Sequence, residues 1–251
     1  MVDPKGFTLP RYSYSYKALN SLVGKAIHRY GMIEDGDRIA LGISGGKDSL
    51  TLLWALAERQ KRVPVHYDLF PIYVDPGFPG GFSDGLADTC RHLGFPLTVD
   101  RTDHGIVAHS AENRENPCFL CARLRRKRLF EIADGLGCSK LALGHNKDDV
   151  IETLFLNICY AGEISTMVPR QELFNGRFVV IRPLAMVDEN SIRRFANAQQ
   201  FPCYTNPCPS VGATKRSEIK TMLKGLYRTN RKIKGNIYRA MSHVKMDYLL
   251  K

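Results

Sequence analysis

Ile39-Ala-Leu-Gly-Ile-Ser-Gly-Gly-Lys-Asp-Ser-Leu50 decides the fold. Ile39 to Ile43 predict a buried strand, Ser44 to Lys47 a tight loop, and Asp48 and Ser49 the start of a helix. Gly45 and Gly46 lack a Cβ, so the loop can turn sharply and bring bare N–H groups against a ligand. The helix start adds unpaired N–H groups and the positive end of its dipole. Ser44, Lys47 and Ser49 supply hydroxyl and ammonium donors. Together these predict an anion site of phosphate or pyrophosphate size. Asp48 makes sense there if Mg²⁺ bridges its carboxylate to phosphate oxygens.

Outward from this stretch, strands and helices alternate. Strands are predicted at 39–43, 69–74 (broken at Pro71), 97–99, 140–143 and 178–181. The helices between them carry apolar stripes, such as Leu50, Leu53, Leu56 and Ala57, or Ile151, Leu154, Phe155 and Ile158. Residues 103–117 read as a loop and 161–177 as irregular. The expected fold is α/β, with a five-stranded parallel sheet covered by helices on both faces and a small helical C-terminal segment. The expected organisation is an arm and helix at 1–34, the sheet domain at 35–204 and a basic helical segment at 205–251. Ligands collect at the carboxyl ends of such strands, where Ser44, Asp75 and Gly144 fall. Val74 and Asp75 are therefore expected to border a nucleotide.

Gly144-His-Asn-Lys-Asp-Asp-Val-Ile-Glu-Thr153 is a second strand-to-helix turn at that edge. Asp148 and Asp149 sit in a first helical turn, where the dipole favours negative charge. One turn rich in donors and one rich in acid suit Mg-ATP, with Gly144 and His145 on the far wall. Asp149 is the preferred carboxylate for binding Mg²⁺ or orienting a reacting base, and Asp148 is the alternative.

The 251 residues suffice for one large domain or a domain with an appendage, and the net charge of +11 points to a polyanion, nucleic acid before membrane. The first residues lack an apolar leader, and no run is long enough to span a bilayer, so the expected location is the cytoplasm. In that setting seven cysteines are thiols, metal ligands or catalytic groups rather than disulfides.

Cys118-Phe-Leu-Cys121 opens a helix, turning two thiols toward one point where the helix N-terminus lowers a thiol's pKa. Such a pair belongs to a zinc site, a redox pair or an iron–sulfur site. Cys90 and Cys159 are expected on buried helix faces. Cys203 or Cys208, in a Pro-rich loop, could close a three-thiolate set, and Cys208 is preferred because its flanking prolines stiffen it. Three thiolates leave one iron of a [4Fe–4S] cluster open to an outside ligand. The helix continues with Arg123 and Arg125 to Arg128. Arg123 and Arg126 are expected to face RNA phosphates and Lys127 to reach the nucleotide, while Lys215, Arg216, Lys220 and Lys224 extend the basic surface.

Ser-Gly-Gly-Lys-Asp-Ser49 resembles the PP-loop of ATP-pyrophosphatases, not the longer Walker A loop. Together with Cys118-x-x-Cys121, Gly-His-Asn-Lys-Asp-Asp149 and the late cysteine, it resembles the tRNA 2-thiocytidine synthetase family over residues 17 to 250. The resemblance implies that ATP adenylates C2 of an anticodon-loop cytidine. A [4Fe–4S] cluster on Cys118, Cys121 and Cys208 then inserts sulfur. It implies tRNA and a sulfur donor (cysteine desulfurase or free sulfide) as partners, and a homodimer. It assigns catalysis to Lys47, Asp48, Lys127 and Asp149, and ATP and Mg²⁺ to Ser44, Gly45, Gly46, Lys47, Asp48 and Ser49. The alternative is a 2-thiouridine synthetase or related enzyme that passes a persulfide without a cluster.

Overall fold

The computed structural model describes residues 14–204, 207–210 and 214–249. The chain divides into two compact units, Met1–Asn146 with Pro169–Val211, and Lys147–Val168 with Gly212–Lys251. The expected N-terminal arm falls mainly on residues 1–13, outside the described residues, and Tyr14 already begins a helix.

The first unit is built on strands β1 (Asp37–Gly42), β2 (Tyr67–Asp75), β3 (Thr98–Arg101), β4 (Lys140–Leu143), β5 (Arg170–Leu173) and β6 (Phe178–Ile181). They form one sheet in the order β3-β2-β1-β4-β6-β5. All neighbours are parallel except β5 and β6. Its helices are α1 (Tyr14–Arg29), α2 (Lys47–Gln60), α3 (Ser83–His92), α4 (His104–Ala108), α5 (Pro117–Gly135) and α7 (Glu189–Ala198). The second unit holds α6 (Lys147–Leu156), a π-helical turn (Asn157–Ala161), α8 (Lys215–Thr229) and α9 (Ile233–Ala240).

Alternation along the strands separates two apolar layers. Ile39, Leu41 and Ile43 join Leu50, Leu53 and Leu56 of α2 and Ile192 and Phe195 of α7 in the larger core. Ala40, Ile72, Val74 and Leu141 turn to the other face, against Leu129 and Ala133 of α5. Both faces are thus covered, and the strands carry their carboxyl ends to one edge. In the second unit Ile151 of α6 packs with Ile219 and Leu223 of α8.

Four expectations need correcting. The sheet has six strands rather than five. The sixth, β5, reads Arg-Gln-Glu-Leu, so it carries no apolar signal, and its charges suit an exposed edge. Pro71 does not break β2. The strand runs through it because β3 pairs only from Ile72 onward, where the missing N–H is not needed. The segment 103–117 contains the short helix α4 and the first residue of α5. Ile158 and Cys159 are exposed rather than buried, because the π-helical turn shifts their phase off the stripe that buries Ile151 and Leu154.

Candidate functional site

The phosphate-loop candidate closes on its own atoms. Ser44 N donates to Ser49 Oγ at 3.1 Å, and Ser49 Oγ donates to the Gly46 carbonyl at 3.0 Å. Ser49 is only 3% exposed, so its hydroxyl is a structural pin. Gly46 is the N-cap of α2 and no side chain caps the helix, which leaves its first N–H groups directed outward. Gly45 has φ +76°, and a Cβ there would lie 2.5 Å from the Phe82 ring and 3.3 Å from Tyr204 Cβ. Glycine is required on both counts.

Lys47 Nζ lies 3.0 Å from Asp48 Oδ2 and 3.1 Å from Glu189 Oε1 at the start of α7. Burial pushes its pKa down, but the charges of Asp48 and Glu189 outweigh this and raise it, so the side chain is a firm cation. Asn146 Nδ2 donates to Asp48 Oδ1 at 3.0 Å and fixes that carboxylate. Neither Asn146 nor Glu189 was assigned a role from sequence. Asn146 lay in a quoted motif, whereas Glu189 had no signal beyond its place in a first helical turn.

Asp75 ends β2, 8% exposed, with Oδ1 accepting from Gly77 N at 2.9 Å. Gly144 follows β4, and a Cβ on it would sit 3.0 Å from Ser49 N. The two turns therefore touch through backbone, and Gly144, His145 and Asn146 stand beside the loop. In the second unit, Asp148 meets Lys234 at 2.6 Å and Asp149 meets Arg216 at 3.7 Å. Lys127 is exposed on α5, 3.8 Å from Glu131.

Cys118 and Cys121 occupy the first turn of α5, which Asn116 caps by accepting from Phe119 N at 3.2 Å. Cys118 is exposed, and Cys121 and Cys208 are half-buried. Burial pushes the Cys121 thiol up, Arg125 pulls it down, and Cys208 and Cys118 raise it further. Cys203 is exposed. Among the described residues no three His, Cys, Asp or Glu side chains are gathered to hold a single metal ion. Thiols are the ligands that iron–sulfur clusters take, so the chemistry of the donor set fits one.

Sequence gave no hint of His109. Its Nδ1 faces the Gly105 carbonyl at 2.8 Å, which assigns the proton to Nδ1. Its Nε2 then accepts from Ser210 Oγ at 2.8 Å and faces Cys208 Sγ at 3.8 Å.

Tyr204 stands against the phosphate loop at Gly45. Its ring stacks on Phe82 at 4.9 Å and its hydroxyl bonds Thr89 at 2.7 Å.

Of the expected RNA-facing cations, Arg123 pairs with Glu115 at 2.9 Å and Arg126 is exposed. Lys215 pairs with Glu218 at 3.0 Å, Arg216 and Lys220 reach Glu152 at 3.4 and 3.8 Å, and Lys224 is exposed. Among the described residues no helix is long and apolar enough to cross a membrane.

Residues 15–224 match the PP-loop domain family. The chain is 42% identical to the tRNA-cytidine(32) 2-sulfurtransferase of Geobacter sulfurreducens, over 94% of this chain and 93% of that protein. It is 41% identical to the protein of the same name from Geobacter metallireducens, with the same coverage. Among solved structures it resembles the U34-tRNA thiolase NcsA from Methanococcus maripaludis with its [4Fe-4S] cluster. That match has a TM-score of 0.76 and 25% identity, and covers 94% of this chain and 80% of that one. An NH3-dependent NAD synthetase from Campylobacter jejuni shares the fold, at TM-score 0.51 and 16% identity over 96% of this chain and all of that one. The chain belongs to the PP-loop domain family and, within it, to the family of tRNA-cytidine(32) 2-sulfurtransferases.

Proposed function

We propose that the protein uses ATP to replace the C2 oxygen of a tRNA cytidine with sulfur. The observation that carries this reading is the contact between Gly45 of the phosphate loop and Tyr204, which lies in sequence between Cys203 and Cys208.

The C2 oxygen attacks the α-phosphorus of ATP, pyrophosphate leaves, and sulfur then displaces AMP. The chain's part in the first step is electrostatic. The N–H groups at the start of α2 and the Lys47 ammonium offset charge growing on the departing pyrophosphate. Ser44, Gly45, Gly46 and Ser49 shape the loop around those oxygens. Asp48, held by Asn146, is the Mg²⁺ carboxylate on this reading, and Asp149 orients the base or adds to the Mg²⁺ shell. Val74 and Asp75 border the adenosine on one side, with Gly144 and His145 on the other, and Lys127 reaches toward the nucleotide. Cys118, Cys121 and Cys208 would hold a [4Fe–4S] cluster, which supplies the sulfur atom when bound. Arg123 and Arg126, with Lys215, Arg216, Lys220 and Lys224, engage the tRNA backbone. The protein works on this reading as a cytoplasmic homodimer supplied with sulfur by a cysteine desulfurase or free sulfide.

The test is anaerobic purification followed by incubation with tRNA, Mg-ATP and sulfide. We expect a brown protein containing iron and acid-labile sulfide, AMP and pyrophosphate release stimulated by tRNA, and 2-thiocytidine in the digested tRNA. A colourless protein that still thiolates tRNA would replace the cluster with a persulfide. The appearance of 2-thiouridine alone would overturn the cytidine assignment.

A further inference from the structure

A cavity of about 500 Å³ lies in the first unit, along the last two turns of α2 and so at the other end of that helix from the phosphate loop. Its size falls within the usual range for small-molecule sites. Its chemistry is mixed. Trp54 and Phe201 supply aromatic wall, and Phe195 braces both, with ring centroids 4.5 Å from Trp54 and 6.2 Å from Phe201. Gln199, only 4% exposed, and Gln200 also line it. Glu58 adds a carboxylate positioned by Tyr16 Oη at 2.9 Å and Arg62 at 2.8 Å. Burial raises the pKa of Glu58, but those two bonds outweigh it and keep it low.

The backbone of Gln200 gives a second indication. The N–H of Phe201 donates to the Ala196 carbonyl and that of Gln200 to the Asn197 carbonyl, both at 3.0 Å. This is the Schellman closure of α7, and Gln200 occupies its left-handed position at φ +54°. Glycine is the ordinary residue there, and any side chain is strained. The strained residue is one that lines the cavity, a pattern associated with function.

We propose that this cavity binds an adenine nucleoside. The base lies on the Trp54 and Phe201 rings, as bases do on aromatic platforms. A glutamine amide both donates and accepts, which matches N6 and N7 of adenine. Glu58 accepts from the ribose hydroxyls, the task a carboxylate performs in dinucleotide folds. Lys61, 3.6 Å from Glu58 and on the same wall, offsets the carboxylate's charge. This site is separate from the phosphate loop, and its existence does not depend on the thiolation reading.

Trp54 is the only tryptophan in the chain, so its fluorescence reports on this cavity directly. The full chain is titrated with adenosine while a non-hydrolysable Mg-ATP analogue saturates the phosphate loop. We expect a saturable change at millimolar adenosine or below. Gln200→Gly removes the left-handed strain, so its unfolding midpoint should rise, yet adenosine affinity should fall about fivefold with the lost amide. A structural role for Gln200 would give the stability gain alone. Three outcomes overturn the proposal: no saturable response to adenosine, a response abolished by the ATP analogue, or unchanged affinity in Gln200→Gly.

Discussion

Two strand-to-helix turns leave neighbouring parallel strands, β1 and β4, and the chain uses them in opposite ways. After β1, the loop Ser44–Ser49 bonds to itself and delivers an uncapped helix start, so its donors are directed outward. After β4, Gly144 presses on the first loop and Asn146 grips Asp48. The acids that follow are engaged by cations of their own unit: Asp148 by Lys234, Asp149 by Arg216, and Glu152 by Arg216 and Lys220. Both turns read as glycine followed by a helix with acid in its first turn. What separates them is where the partner charges lie. The first turn keeps its donors open, and the second braces the first through Gly144 and Asn146.

The largest expected effect lies in the first turn. Lys47→Ala removes the cation expected to offset the leaving pyrophosphate, and should lower tRNA-dependent pyrophosphate release about 10²- to 10³-fold. Iron content should be unchanged in the same preparation. A loss below about tenfold would mean that the N–H groups alone hold the phosphates.

Gly144→Ala tests the bracing role. Its Cβ would meet backbone atoms of Asp48 and Ser49 at 3.0 to 3.2 Å, which a side-chain rotation cannot relieve. Overpacking of this kind costs about 1–3 kcal/mol, measurable by urea unfolding, and ATP affinity should fall with stability. Gly46→Ala is the control, with φ −79° and only the Ser44 hydroxyl at 3.3 Å, and should be milder. Equal losses would remove the distinction between the turns.

Asn146→Ala should matter less. It frees one oxygen of Asp48 from a 3.0 Å bond. A hydrogen bond to a charged group contributes about 1.5–3 kcal/mol, so kcat/KM for ATP should drop at least about tenfold with little change in Tm. The Mg²⁺ concentration for half-maximal rate should rise. A variant that loses Tm but keeps its Mg²⁺ response would show that Asn146 only supports packing.

The contrast between the turns also marks what sequence could and could not show. Ser44 to Ser49 was legible because all its chemistry lies within six consecutive residues, next to a strand pattern that admits one reading. The parallel direction of β1, β2 and β4 followed from the same alternation. Asn146 and Glu189 were not legible as partners, since they reach Asp48 and Lys47 across 98 and 142 residues. His109 met Cys208 across 99 residues and carried no local pattern. β5 was missed because an edge strand can be polar on both faces, and Ile158 was misplaced because a π-turn leaves no mark in hydrophobic spacing. The ion pairs of Asp149 and Glu152 needed the fold as well, since basic residues near the C-terminus read equally as a nucleic-acid surface.

Glu152 gives the smallest predicted change and the sharpest test of the second turn as a structural junction. It is 4% exposed and lies 3.4 Å from Arg216 and 3.8 Å from Lys220. Burial nevertheless raises its pKa, helped by Asp149 and Asp148 and opposed by Lys220 and Arg216. A carboxyl whose pKa is higher folded than unfolded binds its proton more tightly in the native state. The stability linked to that proton is therefore present below the ordinary glutamate pKa and lost as pH rises through the folded value. At neutral pH the charge is a net burden, so Glu152→Gln should leave stability unchanged or raise it by less than about 1 kcal/mol, since buried ion pairs often fail to recover their desolvation. The difference from wild type should shrink as pH falls through the folded pKa of Glu152. A loss of about 3–5 kcal/mol at pH 7 would instead mark a buried pair broken by removing one charge. The second turn would then be held by electrostatics as firmly as the first is held by its own hydrogen bonds.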